Sequence, residues 1–212
     1  AELPCVIVNV CRLGPGLGGI QPSQQDYFVV TRALGHGGFK VIVLAPNSVQ
    51  EIYDLTIKAF ELADKYRNPV VIFLDGTLGQ MMESIEVDEK SDTIYDSFED
   101  IRKLKPWSAN GVVDREYRNV IRSLYLDNEE VKNHMKKLNE KYNLMKINEV
   151  SCEVLGLEQE VDIILVCFGI ISRICEKVRD ILKDENICVG ILRPITIWPF
   201  PYDEIKKYTH NT

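Results

Sequence analysis

An α/β fold built on a parallel sheet is what this sequence predicts, and three observations carry that reading. Residues 5–10, 41–44 and 70–74 are near-continuous apolar runs rather than alternating ones, as expected of strands buried on both faces. A strong helical pattern separates the second run from the third, and a shorter one follows the first. Glycine and proline clusters punctuate the boundaries.

The first strand, residues 5–10, runs into a loop from Asn9 to Asp26 that holds four glycines, two prolines and one arginine. Glycines let backbone approach a ligand closely, and prolines hold a loop open and stiff. Arg12 supplies a fixed positive charge at the lip of the strand, where a guanidinium suits an anionic small molecule. Cys11, Gly14, Gly16 and Gln25 are the residues expected to line such a site. Gly14-Pro-Gly16-Leu-Gly-Gly19 also satisfies the letter of the dinucleotide fingerprint G-x-G-x-x-G. Two further conditions of that fingerprint fail. Ile20-Gln-Pro22 delays the helix, and the next strand runs into Ala45-Pro46-Asn47 without an acidic residue. A connection without any ligand is the plain alternative.

Residues 23–35 read as a helix closed by Gly35-His36-Gly37-Gly38. After the second strand, Ser48 and Glu51 have the spacing of a capping box. Val49, Ile52, Thr56, Ala59, Ala63 and Tyr66 then mark one helical face, which Asn68-Pro69 stops. The third strand ends at Asp75-Gly76. From Asp88 the character changes to a charged, poorly periodic connector reaching Trp107. Residues 129–142 return to helix, rich in charge of both signs and expected to be a solvated surface element. A second unit follows, with strand 163–168, helix 171–182 and strand 187–192 as one βαβ unit and Gly169 at its first turn. Its exit, Arg193-Pro-Ile-Thr-Ile-Trp-Pro-Phe-Pro201, is too rich in proline to continue a central strand. The organisation expected is residues 1–87, a connector at 88–150, and 151–212.

Composition narrows the class. The 212 residues have the apolar and charged fractions of a globular protein, and a net charge of −7 argues against nucleic acid as a partner. No apolar run spans a bilayer, so no membrane is expected and a cytoplasmic setting is the default. The six cysteines are scattered without a C-x-x-C, as buried thiols rather than an iron–sulfur or zinc site. A chain that opens on a buried strand and closes after one βαβ unit is expected to be a fragment, or to pack against partners through its sheet edges and the Trp198-Pro-Phe-Pro segment.

Several stretches together carry a family resemblance. They include Glu2-Leu-Pro-Cys-Val-Ile-Val-Asn-Val10, Arg12, Gly14-Pro-Gly-Leu-Gly-Gly-Ile-Gln-Pro-Ser-Gln24, Asp26-Tyr-Phe28, Leu78-Gly-Gln-Met-Met-Glu83 and Arg193-Pro-Ile-Thr196. With these the chain resembles the α subunit of 2-oxoacid:ferredoxin oxidoreductases, especially the branched-chain (2-oxoisovalerate) type. The resemblance implies a partial thiamine pyrimidine-binding domain followed by a partial transketolase C-terminal-like domain. It implies oxidative decarboxylation of a 2-oxoacid to an acyl-CoA, with coenzyme A as co-substrate. Thiamine diphosphate and magnesium would be shared with a β subunit that also carries a cluster. Iron–sulfur clusters in partner subunits, ferredoxin-like and γ subunits among them, would lead to ferredoxin. Arg12 would bind the substrate carboxylate, and the carboxylate that activates the cofactor would lie before Ala1, leaving the isolated chain inactive. The family pattern Gln-Arg-Gly-Gly-Pro stands here as Cys11-Arg12-Leu13-Gly14-Pro15, so Leu13 thickens the loop beside Arg12. A non-catalytic assembly module of the same fold, and a nucleotide-binding domain using the Gly14–Gly19 loop, are the competing readings.

Overall fold

The computed structural model describes residues 1–14, 19, 21–32, 38–87, 103–109, 111–112, 116–158 and 160–209. Strand β1 (Cys5–Cys11), β2 (Ile42–Leu44) and β3 (Pro69–Asp75) form one sheet with β3 in the centre. β3 pairs parallel with β1 over seven residues, from Cys5 against Pro69 to Cys11 against Asp75, and parallel with β2 on its other side. Two apolar layers cover strands β2 and β3, while the edge strand β1 is only partly covered, with Val8 58% and Val10 49% exposed, so the expected burial of residues 5–10 on both faces does not hold. One layer gathers Ile42, Leu44, Val70, Ile72 and Leu74 with Leu55, Ala59 and Leu62 of helix α2 (Val49–Tyr66). The other gathers Cys11, Val41, Val43, Val71 and Phe73 with Val30 of helix α1 (Tyr27–Thr31).

Helix α1 is shorter than the pattern over 23–35 predicts. Residues 21–26 are held outside helical geometry by other bonds: Pro22 bridges antiparallel to Arg12, and Leu13 N donates to the Gln21 carbonyl at 2.9 Å. The expected Gly35-His36-Gly37 stop lies outside the described residues. Ser48 does cap α2, accepting from Glu51 N at 3.1 Å, but the reciprocal half of the capping box is displaced. Glu51 Oε2 accepts from Asn47 N at 2.9 Å, one residue further back.

Helix α3 (Asn128–Asn148) is longer than residues 129–142 and is not solvated all round. Tyr142 and Met145 are buried in the α2 layer, where Leu138 also packs. Its charges are partly committed too: Lys137 and Lys141 hold the Glu2 carboxylate at 2.9 and 3.1 Å. The connector expected from Asp88 falls largely on residues 88–102, outside the described residues.

The second sheet is β4 (Cys152–Leu155), β6 (Val189–Pro194) and β5 (Ile163–Val166), in that order. β5 and β6 are parallel across helix α4 (Ile170–Asp184), as the βαβ reading requires, while β4 runs antiparallel to β6. The proline-rich exit then departs from expectation. Residues 196–198 form β7 (Thr196–Trp198), which returns to the first sheet and pairs antiparallel with β2 at its edge. The expected break after residue 192 does not hold either: β6, the central strand of the second sheet, continues through Arg193 and ends at Pro194, which pairs with Cys152. Trp198 packs edge-on against Tyr142 at 6.4 Å instead of being displayed as a docking surface, and helix α5 (Tyr202–Thr209) follows.

Arg193 joins the two sheets. Its guanidinium, 3% exposed, grips both oxygens of Glu51 at 2.9 and 2.7 Å and donates from Nε to Glu153. Burial alone would lower its pKa, but the two carboxylates outweigh that and raise it. Removing one partner of a buried bidentate pair leaves an uncompensated charge. Glu51→Ala is therefore expected to destabilise the protein by about 2–3 kcal/mol, discounted for the partial exposure of Glu51, by urea unfolding followed at Trp198. Arg193→Lys should restore little, because a point charge cannot reproduce the fork.

Glu2 gives a pH dependence. Burial pushes its carboxyl up, but the bonds and charges of Lys137 and Lys141 outweigh burial and bring it to about 2. A carboxylate depressed in the folded state adds stability above its unfolded pKa, and that stability is lost as pH falls through the folded value. Acid unfolding between pH ~4.5 and about 2 should thus be shallower in Glu2→Gln than in the parent.

Candidate functional site at the carboxyl ends of strands β1 and β3

In open parallel sheets, ligands bind beyond the carboxyl ends of the strands. Here those ends place Cys11 and Arg12 of β1 beside Asp75 and Gly76 of β3, with Gly76 N donating to the Cys11 carbonyl at 2.9 Å. A cavity of about 370 Å³ opens there, lined by Gln21, Pro22, Gly76, Thr77, Gln80 and Met81. A larger cleft, about 980 Å³, lies against β7 and the start of α5, away from the glycine loop. The smaller cavity is the better candidate, because only it adjoins the strand ends and the loop that follows Arg12.

Local bonding fixes this region. Asp75, 3% exposed, turns its Oδ1 to the backbone N–H groups of Thr77 and Leu78 at 2.8 and 3.1 Å, closing the turn after β3. Arg12 is half-buried and its Nη1 donates to the Leu13 carbonyl at 3.4 Å. Gln25 braces this arginine's backbone: its side-chain amide donates to the Arg12 carbonyl at 3.0 Å. Gln25 thus acts on the loop's geometry more directly than as a cavity wall. Gly14 is described within the loop, whereas Gly16 lies outside the described residues.

Cys11 is fully buried in the α1 layer. Burial, and then the charge of Asp26 against the pull of its backbone N–H, leave the thiol above its ordinary range. Such a thiol is protonated at neutral pH and serves as packing rather than as a nucleophile. The expectation of generally buried thiols holds for Cys11 and Cys167 but not for Cys5 and Cys188, which stand exposed at the ends of their apolar runs. Among the described residues no group of three or more His, Cys, Asp or Glu is arranged to hold a metal ion.

Two contacts bring the second unit to this site. Phe168, just after β5, sets its ring between Tyr27 and Phe73 at centroid distances of 5.9 and 6.2 Å. Arg173 of α4 reaches to Met81 Sδ at 3.1 Å and Glu83 Oε1 at 2.8 Å, at the rim of the cavity. Glu83 also accepts from Val49 N at 3.1 Å, and these bonds hold its carboxyl below the usual range. Sequence reasoning missed Gln24, whose side-chain amide donates to the Phe168 carbonyl at 2.9 Å. A glutamine in a loop carries no spacing signal for a partner 144 positions away.

Residues 1–151 match the family model described as pyruvate flavodoxin/ferredoxin oxidoreductase, thiamine diphosphate-binding, and residues 161–212 match pyruvate:ferredoxin oxidoreductase core domain II. The chain belongs to this family. It is 45% identical over 98% of its length to the ketoisovalerate oxidoreductase subunit VorB of Methanothermobacter marburgensis, covering 56% of that protein. To the 2-oxoglutarate synthase subunit KorA of Methanocaldococcus jannaschii it is 31% identical over 97% of its length, covering 60%. The chain thus spans between half and two thirds of these relatives. A solved 2-oxoglutarate:ferredoxin oxidoreductase from Magnetococcus marinus superposes with a TM-score of 0.75 at 23% identity, over 98% of this chain and 40% of that one. That likeness bears out the α/β fold with its parallel sheet. No helix among the described residues is long and apolar enough to cross a membrane.

Burial orders the thiols by reactivity. Cys5 and Cys188 should alkylate first with iodoacetamide at neutral pH, and Cys11 and Cys167, the latter pushed up to about 12, last, read by peptide mass spectrometry. Early labelling of Cys11 would contradict its placement in the core.

Proposed function

We propose that the chain is part of the α subunit of a thiamine-dependent 2-oxoacid:ferredoxin oxidoreductase, of the branched-chain type, and that its strand-end site holds the substrate carboxylate. The carrying observation is the placement of Arg12 at the carboxyl end of β1, beside the β3 turn, in a chain that belongs to this family. A 2-oxoacid presents a planar carboxylate, and a guanidinium matches it with two parallel N–H bonds. The antiparallel bridge to Pro22 and the Gln25 bond to the Arg12 carbonyl fix the backbone from which the side chain extends. Pro22 and Met81 give the cavity apolar wall against which an aliphatic substrate tail can lie.

Thiamine diphosphate would supply the electron sink for decarboxylation. The residues described here fit the substrate side of such a centre and not its activating carboxylate. Asp75, the buried acid at the site, is committed to Thr77 and Leu78. Cofactor activation is accordingly assigned to none of the described residues, and those at the site bind and orient the acid. The diphosphate, magnesium and iron–sulfur clusters belong in this reading to a β subunit and to ferredoxin-like and γ subunits, with coenzyme A as acyl acceptor and ferredoxin as electron acceptor in the cytoplasm.

Arg12→Ala in the assembled enzyme is expected to lower kcat/KM for the 2-oxoacid by about 2–4 kcal/mol, roughly 30- to 1000-fold. Arg12→Lys should recover part of that loss. An unchanged kcat/KM in Arg12→Ala would remove the carboxylate clamp and leave the loop as scaffold.

A further inference from the structure

We infer that Gln24 is a positioning residue that ties the Arg12 loop to the second unit, so that the turn between β5 and α4 sets where the guanidinium points. The inference rests on the carboxylate role proposed for Arg12 and adds what holds that residue in place.

Four observations converge on Gln24. Its side-chain amide donates to the Phe168 carbonyl at 2.9 Å, across 144 positions of sequence. That carbonyl lies at the exit of β5, where the strand ladder has ended: Cys167 N still bonds the Leu192 carbonyl at 3.1 Å, and helix α4 begins at Ile170. Gly169 follows with φ +61° and ψ −149°, a conformation open in practice only to glycine, and a Cβ there would lie in ordinary van der Waals contact with Gln24 Nε2, at 3.6 Å. On the loop side, Gln24 O accepts from Tyr27 N at 3.1 Å, and the neighbouring Gln25 amide holds the Arg12 carbonyl at 3.0 Å.

Adjacent glutamines therefore face opposite ways. One grips the backbone of Arg12 and the other grips the second unit. The turn they reach is itself immobilised. Ser172, fully buried, donates its hydroxyl to the Gly169 carbonyl at 2.8 Å and accepts from Asn47 Nδ2 at 3.1 Å. The Phe168 ring is seated between Tyr27 and Phe73. A rigid turn, one amide bond and a brace on Arg12 make a continuous path from α4 to the guanidinium. Misplacing a binding group by about 1 Å costs catalysis steeply. Neither Gln24 nor Arg12 is among the residues that line the cavity, so Gln24 acts on the loop that carries Arg12 beside it.

The test uses the assembled enzyme with Gln24→Ala, Gln24→Glu and Gln24→Ala combined with Arg12→Ala. Gln24→Glu keeps size and removes the donor, so both single variants should lower kcat/KM for the 2-oxoacid about 10-fold, with folding checked by unchanged thermal unfolding. In the Arg12→Ala background, Gln24→Ala should cost almost nothing further, because the group being positioned is gone. Hydrogen exchange gives the readout independent of activity: amides of residues 21–27 should exchange faster in both Gln24 variants while those of β3 do not change. Full additivity of the two substitutions, or unaltered exchange over 21–27, would overturn the positioning role. Should Arg12→Ala alone leave activity intact while Gln24→Ala still speeds exchange, the carboxylate clamp fails and the strap stands as structure only, which also overturns the positioning role.

Discussion

The arrangement rests on one buried guanidinium. Arg193 belongs to β6, the central strand of the second sheet, yet it spends two of its donors on Glu51 in the first turn of α2. Its third contact, Glu153 on β4, sits beside it within its own sheet. A charge at 3% exposure must be paired, so this fork fixes how the two sheets meet. Immediately downstream, Ile195 accepts at its carbonyl from Ala45 N at 2.8 Å, and β7 then enters the first sheet beside β2. Upstream in space, the same docking brings Phe168 between Tyr27 and Phe73, and Arg173 to the cavity rim. These contacts hold the second unit against the rim of the strand-end site.

The site itself follows from topology more than from any single residue. β1 and β3 run parallel in register from Cys5 against Pro69 to Cys11 against Asp75, so both chains leave the sheet at the same level. One exit carries Arg12 and the other a tight turn closed by Asp75. Two loops diverging from neighbouring parallel strands leave a crevice, and its chemistry is set by what each strand releases. A cation comes from one strand, while the amides of the other strand's turn are bonded to Asp75 and to the Cys11 carbonyl.

Much of this was legible in the sequence, for identifiable reasons. Strands buried on both faces lack polar alternation, so residues 41–44 and 70–74 announced themselves, as did α2 with its cap and its apolar face, whereas residues 5–10 carry the same apolar run on a half-exposed edge strand. The Arg12 loop was legible because glycine, proline and a single cation in one stretch constrain backbone and charge together. The misread elements were decided by long-range contacts. Residues 23–26 look helical but are claimed by Gln21–Leu13, Pro22–Arg12 and Gln24–Phe168 contacts. Glu51 looked like half of a capping box, and its carboxylate is instead the partner of an arginine 142 positions away. The proline-rich segment from Arg193 argued against a central strand, yet β6, central in the second sheet, runs on through Arg193 to Pro194, and residues 196–198 then take an edge position beside β2. The many charges of α3 concealed a stripe of Leu138, Tyr142 and Met145 that packs on the core.

The most direct measurement of the central claim is a structure of the assembled enzyme with a branched 2-oxoacid bound. The account expects the carboxylate against the Arg12 guanidinium at the carboxyl ends of β1 and β3, with the aliphatic tail towards Pro22 and Met81. A carboxylate held elsewhere, with the Arg12 side chain turned away from the ligand, would contradict it.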